Sequence, residues 1–119
     1  MALPGWRAML WAAAAFNLLV GGPGLIWGTA LMDRIVSLLV ACFGLIYGLT
    51  ARDPLRFAPV LWAGVLGKLG VVALMLPGVQ AGTAAPGTGW ILLGDGLFTA
   101  AFVLFLLGPA RQSLTQKRS

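Results

Sequence analysis

The sequence predicts an all-α membrane protein, a bundle of four transmembrane helices with both termini on the cytoplasmic side. Three observations predict it. Of the 119 residues, 60% are hydrophobic and 9% charged, whereas a water-soluble domain carries about 25% charged residues. The apolar residues gather in four stretches, about 6–21, 33–49, 57–76 and 90–107, and a spanning helix needs roughly 20 such residues. Runs such as 35–49 do not alternate apolar with polar side chains, as the wall of a membrane β-barrel must.

The first stretch, 6–21, is the shortest and ends at Gly21-Gly22-Pro23-Gly24, a strong breaker cluster. Residues 24–32 are therefore expected as a short interfacial or partly re-entrant turn. Arg7 ahead of an apolar run also suits a cleaved signal peptide, but Asn17 and the glycine cluster make a poor cleavage site. The second stretch, 33–49, leads into a tight polar turn over 50–56. Pro59 then fits the first turn of the third helix, 57–76, where a missing N–H is no loss. Residues 77–89 carry no charge and many breakers, which predicts a flexible loop before the fourth helix, 90–107. The tail 108–119 is polar and basic. The whole chain, 1–119, reads as a single membrane domain.

Orientation follows from the lysines and arginines near the helix ends. Arg7, Arg52, Arg56, Arg111, Lys117 and Arg118 fall on one side, and Arg34, beside Asp33, on the other. That bias predicts a multi-pass protein of the inner membrane with cytoplasmic termini. Trp6 and Trp62 then lie near the inner interface, and Trp27 and Trp90 near the outer one, as aromatic belts require. The net charge of +5 is explained by orientation, so nucleic acid is not expected as a partner. The basic tail is expected to meet anionic lipid.

The polar inventory excludes much chemistry. Histidine is absent, Cys42 is the single cysteine, and the acids are Asp33, Asp53 and Asp95. Imidazole-held haem, zinc sites and a Ser/His/Asp triad all need residues that are missing, and no cofactor is expected. Cys42, in an apolar run, reads as a small packing residue. General acid–base work would rest on Asp95, Lys68 and Tyr47 alone, so no enzyme is expected.

The informative residues are Lys68 in the third helix and Asp95 in the fourth, because an ionisable group at membrane depth costs at least ~2.5–3.5 kcal/mol. Counted from helix ends at Leu76 and Trp90, both reach one level in the outer half of the bilayer. Asn17 lies at a similar depth. An intramembrane polar cluster of Asn17, Lys68 and Asp95 is the expectation, either as a structural ion pair that fixes helix register or as a relay or ligand pocket. Around it run faces of small residues suited to close helix packing in lipid. Ser37, Ala41, Gly44 and Gly48 recur on the second helix, and Gly64, Gly67, Lys68 and Val71 on the third. Asp95 and Thr99 share a face of the fourth helix.

The order Phe16-Asn17-Leu18-Leu19, Gly44 to Gly48 around Tyr47, Ala51-Arg52-Asp53-Pro54, Gly67-Lys68 and Gly94-Asp95 resembles a group of small four-helix bacterial membrane proteins, loosely DoxX-like. The resemblance spans most of 16–105 and implies the same architecture, with no agreed activity to carry over. Small multidrug transporters are similar in length and helix count, but depend on an acid in the first helix, where this chain has Asn17. The expected function is non-catalytic: a structural or accessory subunit of a larger membrane assembly, or a homo-oligomer, with the lipid bilayer and other subunits or its own copies as partners. The alternative is a small transporter or channel built on Lys68, Asp95 and Asn17.

Overall fold

The computed structural model describes residues 3–112. Among them every regular element is helical, and four helical segments are long and apolar enough to cross a membrane: Pro4–Trp27, Leu31–Arg52, Pro54–Gln80 and Thr88–Gln112. The shortest of these has 22 residues, roughly 33 Å at 1.5 Å per residue, against a hydrocarbon core of about 30 Å. The chain folds as two compact units, Met1–Ala58 and Pro59–Ser119.

The first unit is a helical hairpin. Helix α1 spans Leu3–Trp27 and α2 spans Leu31–Arg52. The breaker cluster at 21–24 does not end α1, contrary to the expected stop at 21 and turn over 24–32: Pro23 lies inside the helix. Proline deletes one backbone bond, to the carbonyl four residues earlier, but in lipid the other backbone groups have no better partner than the helix itself. The connection shrinks to 28–30. Arg34 Nε donates to the Leu25 carbonyl oxygen at 3.1 Å, a cation on the carbonyl end of α1, where the helix dipole favours it.

The glycines of α1 have a second use. A Cβ on Gly21 would lie 2.6 Å from the Ser37 carbonyl oxygen and 2.7 Å from the Ala41 nitrogen, and one on Gly24 would run into the Ser37 side chain. Further along, a Cβ on Gly44 would come within 3.0–3.2 Å of Leu18, Ala14 and Asn17, and one on Gly48 within 3.2 Å of the Trp11 ring. The Ser37–Ala41–Gly44–Gly48 face of α2 is thus the face that meets α1, in antiparallel register. Cys42 points elsewhere: it is exposed, not packed.

At its far end α2 stops at Asp53, whose N–H bonds the Thr50 carbonyl. Pro54 then opens α3, Pro54–Phe57, as a proline in the first position of a helix is suited to do.

A 3₁₀ turn, Ala58–Val60, leads into α4, Leu61–Gln80. Pro59 sits in that turn. Helix α4 passes through Pro77 instead of ending at Leu76, and α5 runs Thr88–Leu107. The expected loop over 77–89 therefore contracts to 81–87. It is also ordered by its own bonds: Thr83 and Ala84 N–H both reach the Gly78 oxygen, at 2.9 and 3.1 Å, and the Thr88 hydroxyl donates to the Ala85 oxygen at 2.7 Å. Gly82 and Gly87 hold positive φ, +76° and +88°, a conformation that side chains resist. The tail is described as far as Gln112, with 109–112 helical; Lys117 and Arg118 lie outside the described residues.

Candidate functional site: a buried lysine–aspartate pair

In the second unit the packing faces follow helical periodicity. Helix α4 buries Leu61, Gly64, Val65 and Lys68; α5 buries Thr88, Leu92, Asp95, Thr99, Phe102, Phe105 and Leu106. Apart from Phe105, the α5 set recurs at alternating steps of four and three, the seam of a helix lying against a partner. The α4 face is only in part the expected one. Gly64 is buried, but Gly67 and Val71 are exposed, and a Cβ on Gly67 would meet nothing within 4 Å. Of the small residues expected at this seam Gly64 is buried and Gly67 is not, while Val65 is buried beside Gly64.

Near the loop the two helices stand level at Val79 and Gly89, where a Cβ on Gly89 would lie 3.5 Å from Val79 Cγ1. Counting from that level, Lys68 is eleven residues along α4 and Asp95 six along α5, an offset of roughly 7–8 Å. That is about the reach of an extended lysine stem. The Lys68 ammonium crosses it and donates to Asp95 Oδ1 at 2.7 Å. The side chains are 5% and 11% exposed, so neither charge is left to water.

The extension of the third span changes the depth. Lys68 lies fourteen residues from Pro54 and twelve from Gln80, at the middle of its span and not in the outer part that a helix end at Leu76 implies. Asp95 stays nearer the 81–87 loop. The ammonium also stands 5.8 Å from the centroid of the Phe98 ring, within reach of the ring's negative face. The sequence alone does not single out Phe98, although its place three residues after Asp95 puts it on the same side of α5. The Thr99 hydroxyl donates to the Asp95 carbonyl oxygen at 2.7 Å, which keeps a polar side chain satisfied within its own helix.

Asn17 belongs to the first unit. It is buried, and its amide donates to the Val40 carbonyl oxygen at 3.1 Å, a bond that ties α1 to α2. Gly44 permits it, because the space for a Cβ there is filled by Asn17 and its neighbours. Tyr47 is also buried, and the Thr50 hydroxyl donates to the Ile46 carbonyl oxygen at 2.8 Å.

Chemically, the arrangement is a buried ion pair. The lysine donates to the aspartate, and among the described residues no buried side-chain nitrogen or oxygen lacks a partner. Comparison with protein-family models, curated proteins and solved structures finds no match to this chain.

Proposed function

We propose that this protein is a non-catalytic, multi-pass component of a bacterial inner membrane, a structural or accessory subunit of a larger assembly or of a homo-oligomer. One observation carries the reading: the acid and base at membrane depth are bonded to each other at 2.7 Å, a use that ties α4 to α5 as a structural ion pair does. The exposed surface supports it. Leu19, Leu66, Leu74 and Trp90 are each at least 74% exposed, side chains that only lipid or other membrane subunits can cover. Both termini lie in the cytoplasm by the count of basic residues at the helix ends, and the basic tail rests on anionic lipid.

The test is a double replacement, Lys68→Met with Asp95→Leu. A buried pair exchanged for apolar residues of similar volume is often neutral in stability, so the double variant should fold and assemble as the parent does. Extraction in mild detergent, followed by the mass and composition of the intact particle, reads the outcome. Co-purifying subunits or a defined oligomer, retained in the double variant, support the proposal.

A small transporter or channel is the second reading, favoured by the mid-span position of Lys68, since charges at that depth often mark ion or proton routes. Flux in liposomes that is lost in a well-folded double variant would establish it and overturn the structural role.

A further inference from the structure

The two ends of the first unit differ in charge. At the loop end, Asp33 and Arg34 balance, and the Arg34 guanidinium is engaged by the Leu25 carbonyl. At the other end the start of α1, the end of α2 and the short α3 come together. There Arg7, Arg52 and Arg56 are all exposed. Arg7 reaches the Arg52 carbonyl oxygen at 3.4 Å, across 45 residues of sequence, so the fold itself gathers the basic groups.

Asp53 is the acid of this end, which leaves a balance of +2 from the three arginines and one aspartate. Among the described residues no carboxylate lies within ion-pair distance of any of the three arginines. Aromatic surface accompanies them: Arg56 stands 5.3 Å from the centroid of the exposed Phe57 ring, and Trp6 is half-buried beside Arg7 in the first turns of α1.

We infer that this end of the first unit binds the phosphodiester headgroup of an anionic phospholipid. Guanidinium forks match phosphate oxygens in pairs. Aromatic rings at the end of a spanning helix sit at headgroup level, so charge and aromatic groups are held where such a lipid presents its phosphate. Its three arginines come from three helices, α1, α2 and α3. It is independent of the assembly role proposed above.

The experiment uses the full chain, purified in a neutral detergent and offered equal amounts of phosphatidylglycerol and phosphatidylcholine, with bound lipid counted by native mass spectrometry. The parent should retain phosphatidylglycerol in preference. The triple variant Arg7→Gln, Arg52→Gln, Arg56→Gln should lose that preference by on the order of tenfold or more, given a several-fold contribution per basic residue near a lipid surface. Arg34→Gln, at the balanced end, should keep it.

Helix content and thermal midpoint establish that the triple variant is folded. Should it fail to fold, Arg56→Gln alone carries the test, with an expected loss of roughly five-fold. An unchanged preference in the folded variant, or an equal loss in Arg34→Gln, overturns the inference. Displacement of the bound lipid by inorganic phosphate at equal concentration overturns it too, because the site would then take free anions and not a headgroup.

Discussion

The two hairpins solve one problem in opposite ways. In the first, α1 and α2 approach until backbone meets backbone: a single Cβ on Gly21 would fall 2.6 Å from the Ser37 carbonyl oxygen. In the second, glycines at 67, 70 and 96 face open space, where an added methyl group would meet nothing within 4 Å, and a lysine–aspartate bond joins α4 to α5. Lipid tails are as apolar as leucine, so burial of apolar surface drives neither contact. What remains is close van der Waals packing, or a polar bond that has no water to compete with it. Each hairpin relies mainly on one of these. The difference predicts that the first will be sensitive to added volume and the second to lost charge.

The largest effect is expected from breaking the pair on one side only. Lys68→Met leaves Asp95 buried, with its side chain 11% exposed, and without its cation. Removal of one partner of a buried pair costs about 3–5 kcal/mol. A titration with denaturing detergent, followed by helix content, should show the loss, and Asp95→Leu in the same chain should restore most of it. A single variant as stable as the parent would mean that the pair does not hold α4 to α5.

Added volume in the first hairpin should have the next largest effect. Gly21→Ala brings a methyl group against the backbone of Ser37 and Ala41, atoms that cannot rotate away. Overpacking of this kind costs typically about 1–3 kcal/mol, and the hairpin must open to absorb it. The same titration measures it, and a pair of spin labels on α1 and α2 would register the opening as a longer distance. An unaltered stability would refute the backbone-to-backbone contact.

How much of this is legible in the sequence depends on what carries the signal. The four spans are, because apolar length is read directly from composition. The face of α2 is legible too, since Ser37, Ala41, Gly44 and Gly48 repeat at helical spacing and are the residues that meet α1. So is the pairing of the one lysine and one acid at membrane depth.

Three things are not legible. Helix ends at Gly21 and Leu76 rest on breakers whose weight belongs to water. In lipid, Pro23 and Pro77 stay inside their helices because an unwound backbone would have nothing to bond. The same error in the helix end displaces Lys68 from mid-span. On α4 Gly64 and Lys68 are buried as expected but Gly67 is misjudged, because it sits at the same spacing from Gly64 as a packing residue would; periodicity fixes which residues share a side, and only the partner decides which side is used. The bond from Asn17 to the Val40 carbonyl gives no sequence signal at all, since an acceptor in the main chain has no residue type.

Gly67 supplies the smallest and most discriminating prediction. It lies in the same helix as Lys68, one residue away, yet it is exposed and has an ordinary helical φ. Gly67→Ala should therefore stabilise α4 by about 0.5–1 kcal/mol, the usual advantage of alanine over glycine inside a helix. Gly21→Ala carries the same propensity gain, so the two variants differ only in what the new methyl group meets. If glycine in this chain were simply a general accommodation to membrane helices, both substitutions would shift the detergent midpoint alike. Opposite signs are expected: a slight rise for Gly67→Ala and a fall for Gly21→Ala. A fall of more than about 1 kcal/mol at Gly67, beyond the propensity scale, would mean that its open face is in contact within the folded hairpin, and the contrast between the two units would collapse.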